Sequence, residues 1–306
     1  MFLKGIFKDS GGIIQFILFI GIVIIGGVVG NVIAPLLLIS LKSGFKGDAM
    51  TEILTNLADY PFYLRDIQFL SQLGTFVFPA LVAAYLFSKN YKEYLYLNTP
   101  FKGSIVFWAI LSMIFVQPFL NLITQWNQQM VLPDFMKSIE DYIKSMEDTA
   151  TKLTEAMLHT EDLWAILFNI VIIGVFAAIG EEFIFRGVLQ RIFGQMIRNK
   201  HIIIWSVAFI FSFIHFQFYG FVPRLLLGAY FGYLLDFSKN LWIPVLAHFT
   251  NNFIGVMLYT VYQDDSKQMD AMDNLGNGST WWLSILSLIL FILAFLQIRR
   301  QRTIES

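Results

Sequence analysis

Eight stretches of the chain contain no Asp, Glu, Lys or Arg: 10–41, 67–88, 103–133, 163–180, 201–223, 225–235, 240–263 and 274–298. A helix needs about 20 apolar residues to cross the hydrocarbon core of a bilayer, so the pattern predicts an all-α polytopic membrane bundle of about eight transmembrane helices. The sixth stretch is the shortest, closed off by Arg224 and Asp236, whose side chains can snorkel and let a short helix span. The first follows Lys4 and Lys8 as a signal peptide would. It is about twice the length of a signal-peptide apolar region and ends without a small-residue cleavage site, which predicts a retained span.

Between the third and fourth stretches, Phe135, Ile139, Tyr142, Ile143, Met146, Ala150, Leu153 and Met157 recur at steps of three and four. That spacing predicts an amphipathic helix over 134–160 with an acidic opposite face. Such a helix packs on the rim of the bundle or lies at the membrane interface; the other reading is a gate or substrate-docking element. Trp126, Trp164, Trp242, Trp281 and Trp282 fall at expected span ends, as interfacial aromatics do. No fixed-period repeat or low-complexity linker interrupts the pattern, so 1–306 reads as a single integral-membrane domain.

Composition and charge add orientation and remove alternatives. Of the 306 residues 57% are hydrophobic, 14% are charged and 32 are Phe, more apolar bulk than a soluble fold of this length hides from water. An even number of spans puts both termini on one side. Lys4, Lys8, Lys89, Lys92, Lys102, Arg191, Arg198, Lys200, Lys239, Arg299, Arg300 and Arg302 fall on that set of segments, and most acids fall on the alternate set. Basic residues favour the cytoplasmic side, which predicts cytoplasmic termini and an extracytoplasmic 134–160 helix. The compact, tail-free pattern suggests a bacterial inner membrane. A net charge of −1 gives no basic field for nucleic acid. The absence of Cys excludes disulfides, thiolate nucleophiles and Cys-ligated metals.

An ionisable residue inside a span costs about 2.5–3.5 kcal/mol on insertion scales, so each one calls for a function or a partner. Here they are few and grouped. The apolar pattern of the fourth span continues past Glu181, Glu182 and Arg186 through Val188, Leu189, Ile192 and Phe193, which places these charges within a helix. The fifth span carries Phe211 and His215, and the seventh carries His248, Asn251 and Asn252. Residues four apart share a helix face, so Glu182 can pair with Arg186, Phe211 can pack on His215, and His248 and Asn252 can aim at one point. Glu181 points about 100° away from the Glu182–Arg186 pair and finds its partner on another element or is protonated.

Taken singly, each feature has a structural reading: an interfacial carboxylate pair, a helix-stabilising ion pair, or an interhelical hydrogen bond. Together they assemble the parts of amide hydrolysis. A carboxylate and an imidazole can activate water, while a second imidazole and an amide N–H can hold an oxyanion. There is no G-x-S-x-G, no H-E-x-x-H and no Cys, which leaves attack by water or metal-bound hydroxide.

Counted from the expected cytoplasmic ends, Glu181 and His248 lie about five to seven residues into their helices and His215 about fourteen, an offset on the order of 10 Å. Tilt or a later start of the fifth span would remove it. His159 and His201 read as ordinary loop or interface residues.

In these residues the chain resembles the CPBP intramembrane proteases, the CAAX proteases and bacteriocin-processing enzymes also called Abi, which include the type II CAAX prenyl endopeptidase known as Ras-converting enzyme. The family pattern is E-E-x-x-x-R, then F-x-x-x-H, then H-x-x-x-N or D. It stands here as Glu181-Glu182-x-x-x-Arg186, Phe211-x-x-x-His215 and His248-x-x-x-Asn252, with a matching core over about 163–262. The resemblance implies an intramembrane endopeptidase acting on a membrane-associated peptide, prenylated or bacteriocin-like. Glu181 and His215 would activate water, His248 and Asn252 would stabilise the oxyanion, and Glu182, Arg186 and Phe211 would support them. No cofactor is required in that mechanism. Glu181, His215 and His248 could equally form a His₂Glu zinc site with an open position. Two other functions remain open: a peptide-binding or bacteriocin-immunity protein without turnover, and a proton- or ion-coupled transporter.

Overall fold

The computed structural model describes residues 3–302, and every regular element among them is helical. Five helices are long and apolar enough to cross a membrane: Gly12–Lys42, Pro61–Phe87, Leu163–Met196, Phe218–Ser238 and Gly278–Gln301. The pair Gly103–Phe115 and Gln117–Gln128, bent by 46°, makes a sixth if it is one span. Its second helix has Pro near its start, and a proline lacks the N–H that would continue the ladder.

The all-helical membrane bundle read from the sequence is therefore what forms, with a count by length and apolarity of five or six where eight were expected. The two remaining charge-free stretches do become helices. Lys200–Phe213 has 14 residues, about 21 Å at 1.5 Å per residue, too short to cross about 30 Å of hydrocarbon unaided. Trp242–Tyr262 has 21 residues, but His248, Thr250, Asn251 and Asn252 dilute its apolar character. The charges that bounded the sixth stretch lie inside the Phe221–Ser238 helix near its ends. Asp236 bonds Lys200 at 3.0 Å and Lys239 at 2.9 Å there.

The described residues form two compact units. One comprises the chain up to Asn98 together with Thr151–Arg198. In it the Gly12–Lys42 and Pro61–Phe87 helices cross where Gly26 and Gly30 face Gly74. A Cβ on Gly30 would stand 2.8 Å from both the Gly74 Cα and the Leu70 carbonyl oxygen. Only glycine permits so close an approach of backbones. Both helices widen to a π-helical turn at this crossing, over Val29–Ile33 and Leu73–Val77. The second helix also packs on Gly180, whose added Cβ would meet the Phe76 Cβ at 2.8 Å.

Arg65 is buried within the Pro61–Phe87 helix and donates to Asn169 Oδ1 at 3.0 Å and the Met157 carbonyl at 2.7 Å. The charge-free criterion starts this span at 67 and so leaves out Arg65, which the helix carries inside with its partners satisfied.

The other unit comprises Thr99–Ala150 and the chain from Asn199 onward. Its core gathers Ala109, Met113, Phe231, Leu234, Ile243 and Ile298. Within it the Ser112 and Tyr230 hydroxyls hydrogen-bond at 2.5 Å.

The amphipathic stretch forms a Lys137–Leu158 helix, and its apolar positions are split between its faces: Met157 is buried and Ile143, Ala150 and Leu153 are half-buried. Phe135, Ile139, Tyr142 and Met146 are exposed while Glu140 is buried. An outward apolar ridge is at home against lipid.

Candidate active site

The carboxylates of the first unit sit at an irregular place in the Leu163–Met196 helix. A short α-helical segment, Ala177–Glu182, lies between π-helical turns over Ile170–Phe176 and Phe183–Leu189. Such turns insert a residue into the helical register and recur at functional sites. Glu181, Glu182 and Arg186 are all buried, the last two with no exposed surface. Arg186 Nη1 bonds Glu182 Oε1 at 2.8 Å, the pairing expected from their spacing. Arg186 lies within electrostatic range of Glu181 as well. Burial of this kind holds only when opposite charges are paired.

In the second unit, His215 does not lie in a helix. The Lys200–Phe213 helix stops two residues earlier, and Phe216 takes a left-handed φ of 51°. The loop backbone that follows is satisfied by one side chain from another helix and one from the end of this helix. Asn127 donates to the Phe218 carbonyl at 3.0 Å and accepts from the Val222 N–H at 2.8 Å. The Ser212 hydroxyl donates to the Phe221 carbonyl at 2.6 Å.

His215 Nδ1 lies 2.6 Å from the Phe211 carbonyl oxygen. A carbonyl only accepts, so Nδ1 carries the proton and Nε2 is the basic nitrogen of the neutral ring. The Phe211 ring meets the His215 ring edge-on at 5.0 Å, the packing expected from the spacing.

His248 is buried on the Trp242–Tyr262 helix. The Phe211 ring also meets its imidazole, at 6.2 Å and 88°. One phenyl ring therefore contacts the rings of both histidines. Phe231 stacks on the His248 ring at 4.9 Å and 16°. No sequence signal marked Phe231 among 32 phenylalanines.

Asn252 is half-buried one turn beyond His248. Its Oδ1 accepts from Asn251 Nδ2 at 3.4 Å, and Asn251 Oδ1 in turn accepts from Gln117 Nε2 at 3.3 Å. With its oxygen so engaged, the Asn252 carboxamide has its N–H₂ as the donor end. Asn251 thus links Asn252 to the Gln117–Gln128 helix. His201 bonds the Tyr233 hydroxyl at 2.6 Å, and His159 is exposed, in keeping with ordinary roles. Among the described residues no three His, Asp or Glu side chains are gathered as a metal cage.

Comparison with known proteins places this segment. Residues 163–254 match the family described as Type II CAAX prenyl endopeptidase Rce1-like. All three motif elements, from Glu181 to Asn252, fall inside the match, and the resemblance read from them is borne out over these residues. The uncharacterized protein YpbD of Bacillus subtilis (strain 168) is 29% identical over 85 residues, 26% of this chain. The chain spans 40% of the length of that curated relative. No solved structure matches.

Proposed function

We propose that the chain is an intramembrane endopeptidase that hydrolyses a peptide bond of a membrane-associated substrate, prenylated or bacteriocin-like. The observation that carries this reading is the family match over 163–254, which contains every residue the chemistry needs. Glu181 and His215 take a proton from water through the carboxylate and Nε2, and the resulting hydroxide adds to the scissile carbonyl. The negative charge passes to the carbonyl oxygen, where His248 and the Asn252 N–H₂ stabilise it. The C–N bond then breaks, and the amine leaves with the proton that the water gave up. The ordering of His215 through Nδ1 and of Asn252 through its oxygen supports these roles. Glu182 and Arg186 neutralise one another beside Glu181, so its carboxylate is not the sole charge in the helix. The excess of Lys and Arg on one set of segments favours cytoplasmic termini, in a bacterial inner membrane.

The test is cleavage of a library of membrane-tethered peptides by the full chain in lipid, comparing wild type with Glu181→Ala and His248→Ala, each with and without chelator. Products from the wild type alone, insensitive to chelator, are expected. Loss of wild-type activity on chelation would move Glu181, His215 and His248 to the zinc-site reading. No products from folded wild type would overturn the protease and favour a peptide-binding or transport role.

A further inference from the structure

The loop that carries His215 is held from two sides within its unit. Asn127 grips it from the Gln117–Gln128 helix, as described above. On the other side stand two carboxylates of the Lys137–Leu158 helix. The Tyr219 backbone N–H donates to Glu147 Oε1 at 3.1 Å and Oε2 at 3.4 Å, and the Tyr219 hydroxyl donates to Glu140 Oε1 at 3.2 Å. Glu140 and Glu147 are two helical turns apart and share a face. One loop residue thus engages both, through its backbone and through its side chain. Lys137 lies 3.7 Å from Glu140, and Arg224 interacts with Glu147 while bonding Gln217 of the same loop at 2.6 Å.

Two features bear on this contact. The inward stripe of the helix sets Glu140, buried, and Glu147, half-buried, among half-buried Ile143, Ala150 and Leu153 and buried Met157, while Ile139, Tyr142 and Met146 are exposed. The loop has little regular structure of its own: three turn residues after Phe213, a left-handed Phe216, and a single 3₁₀ turn over Phe218–Gly220. A segment with so few internal hydrogen bonds takes its conformation from what grips it.

We infer that Glu147 and Glu140 are positioning residues, which fix Tyr219 and, through the four residues preceding it, the direction of the His215 imidazole. The inference rests on the reading of His215 as a base acting on water. A base displaced by about 1 Å loses up to about a hundredfold in rate. A side chain that touches nothing in the reaction can therefore set kcat.

The test uses the full-length protein in lipid. It measures kcat and KM on a tethered peptide, and amide hydrogen exchange over 214–222, for wild type, Glu147→Ala, Glu147→Gln, Tyr219→Phe and the exposed control Lys144→Ala. Glu147→Ala is expected to speed exchange and to lower kcat about tenfold with KM within about twofold. Glu147→Gln keeps an acceptor oxygen for the Tyr219 N–H and is expected to stay within about threefold of wild type in both readouts. Tyr219→Phe should fall between them, and Lys144→Ala should match wild type.

Unchanged exchange or unchanged kcat in Glu147→Ala overturns the inference, as does a Gln variant as impaired as the Ala variant. Absence of cleavage by wild type overturns the protease reading instead. The exchange data then decide by themselves whether Glu147 tethers the loop.

Discussion

The Glu182–Arg186 pair gives the sharpest energetic expectation. Both side chains have no exposed surface and approach to 2.8 Å. At an effective dielectric of about 20, two unit charges at that distance attract by roughly 6 kcal/mol. Burying each ion costs several kcal/mol, so the intact pair is near break-even while a lone survivor is not. Arg186→Met leaves a carboxylate buried without its counter-ion, and Glu182→Gln leaves a guanidinium in the same position. Each is expected to destabilise the protein by about 3–5 kcal/mol, a factor of about 10² to 10⁴ in the folding equilibrium. The double variant removes both charges and should be more stable than either single one. The assay is reversible unfolding in mixed micelles by increasing SDS, followed by the fluorescence of the seven tryptophans. Single variants within about 1 kcal/mol of wild type, or a double variant whose loss is the sum of the two, would refute the reasoning.

Three further outcomes are expected. Gly74→Val forces a side chain against the backbone of the Gly12–Lys42 helix and should cost about 3 kcal/mol or more; a crossing that tolerates it would show up as an unchanged SDS midpoint. Asn127→Ala strips partners from the Phe218 carbonyl and the Val222 N–H and should cost about 1–3 kcal/mol for each group left buried; equal exchange over 214–222 in variant and wild type would contradict it. Glu147 titrates above its ordinary carboxylate value, because burial outweighs the Tyr219 N–H and the Arg224 charge. A raised folded value means stability that is complete at acid pH and falls as pH rises through it. Glu147→Gln should accordingly flatten the decline in melting temperature between about pH 4.5 and neutrality, and a slope identical to wild type would rule that origin out.

What could be read from the chain alone depended on whether the contact is made within one helix. The Glu182–Arg186 bond follows from a spacing of four within a helix, and the Phe211–His215 packing is present at the same spacing although His215 lies just past the end of its helix. The helical runs were legible because the absence of charge marks them. The same criterion set the start of the second span too late, since it stopped at Asp66 and left out both that residue and Arg65, which pair inside the unit with Lys42 and with Asn169 and Met157. Contacts between elements left no mark. Phe231 over His248, Asn127 under the loop and Tyr219 between two carboxylates are ordinary residues made important by packing. The end of the fifth helix before His215 was illegible as well, and the loop that follows it is gripped by a side chain some ninety residues away. The amphipathic helix was visible as a period, but a period does not say which face turns inward.

The stacking of Phe231 on His248 has a spectroscopic consequence. A proton held over the face of a benzene ring sits in the shielding cone of its circulating electrons. The imidazole C–H resonances of His248 should therefore appear well upfield of those of exposed His159. With four histidines in the chain, a spectrum labelled at histidine alone holds few enough signals to find that one without assignment of the rest. Its position would report, ligand by ligand, whether a bound peptide or inhibitor leaves the two rings parallel or slides them apart.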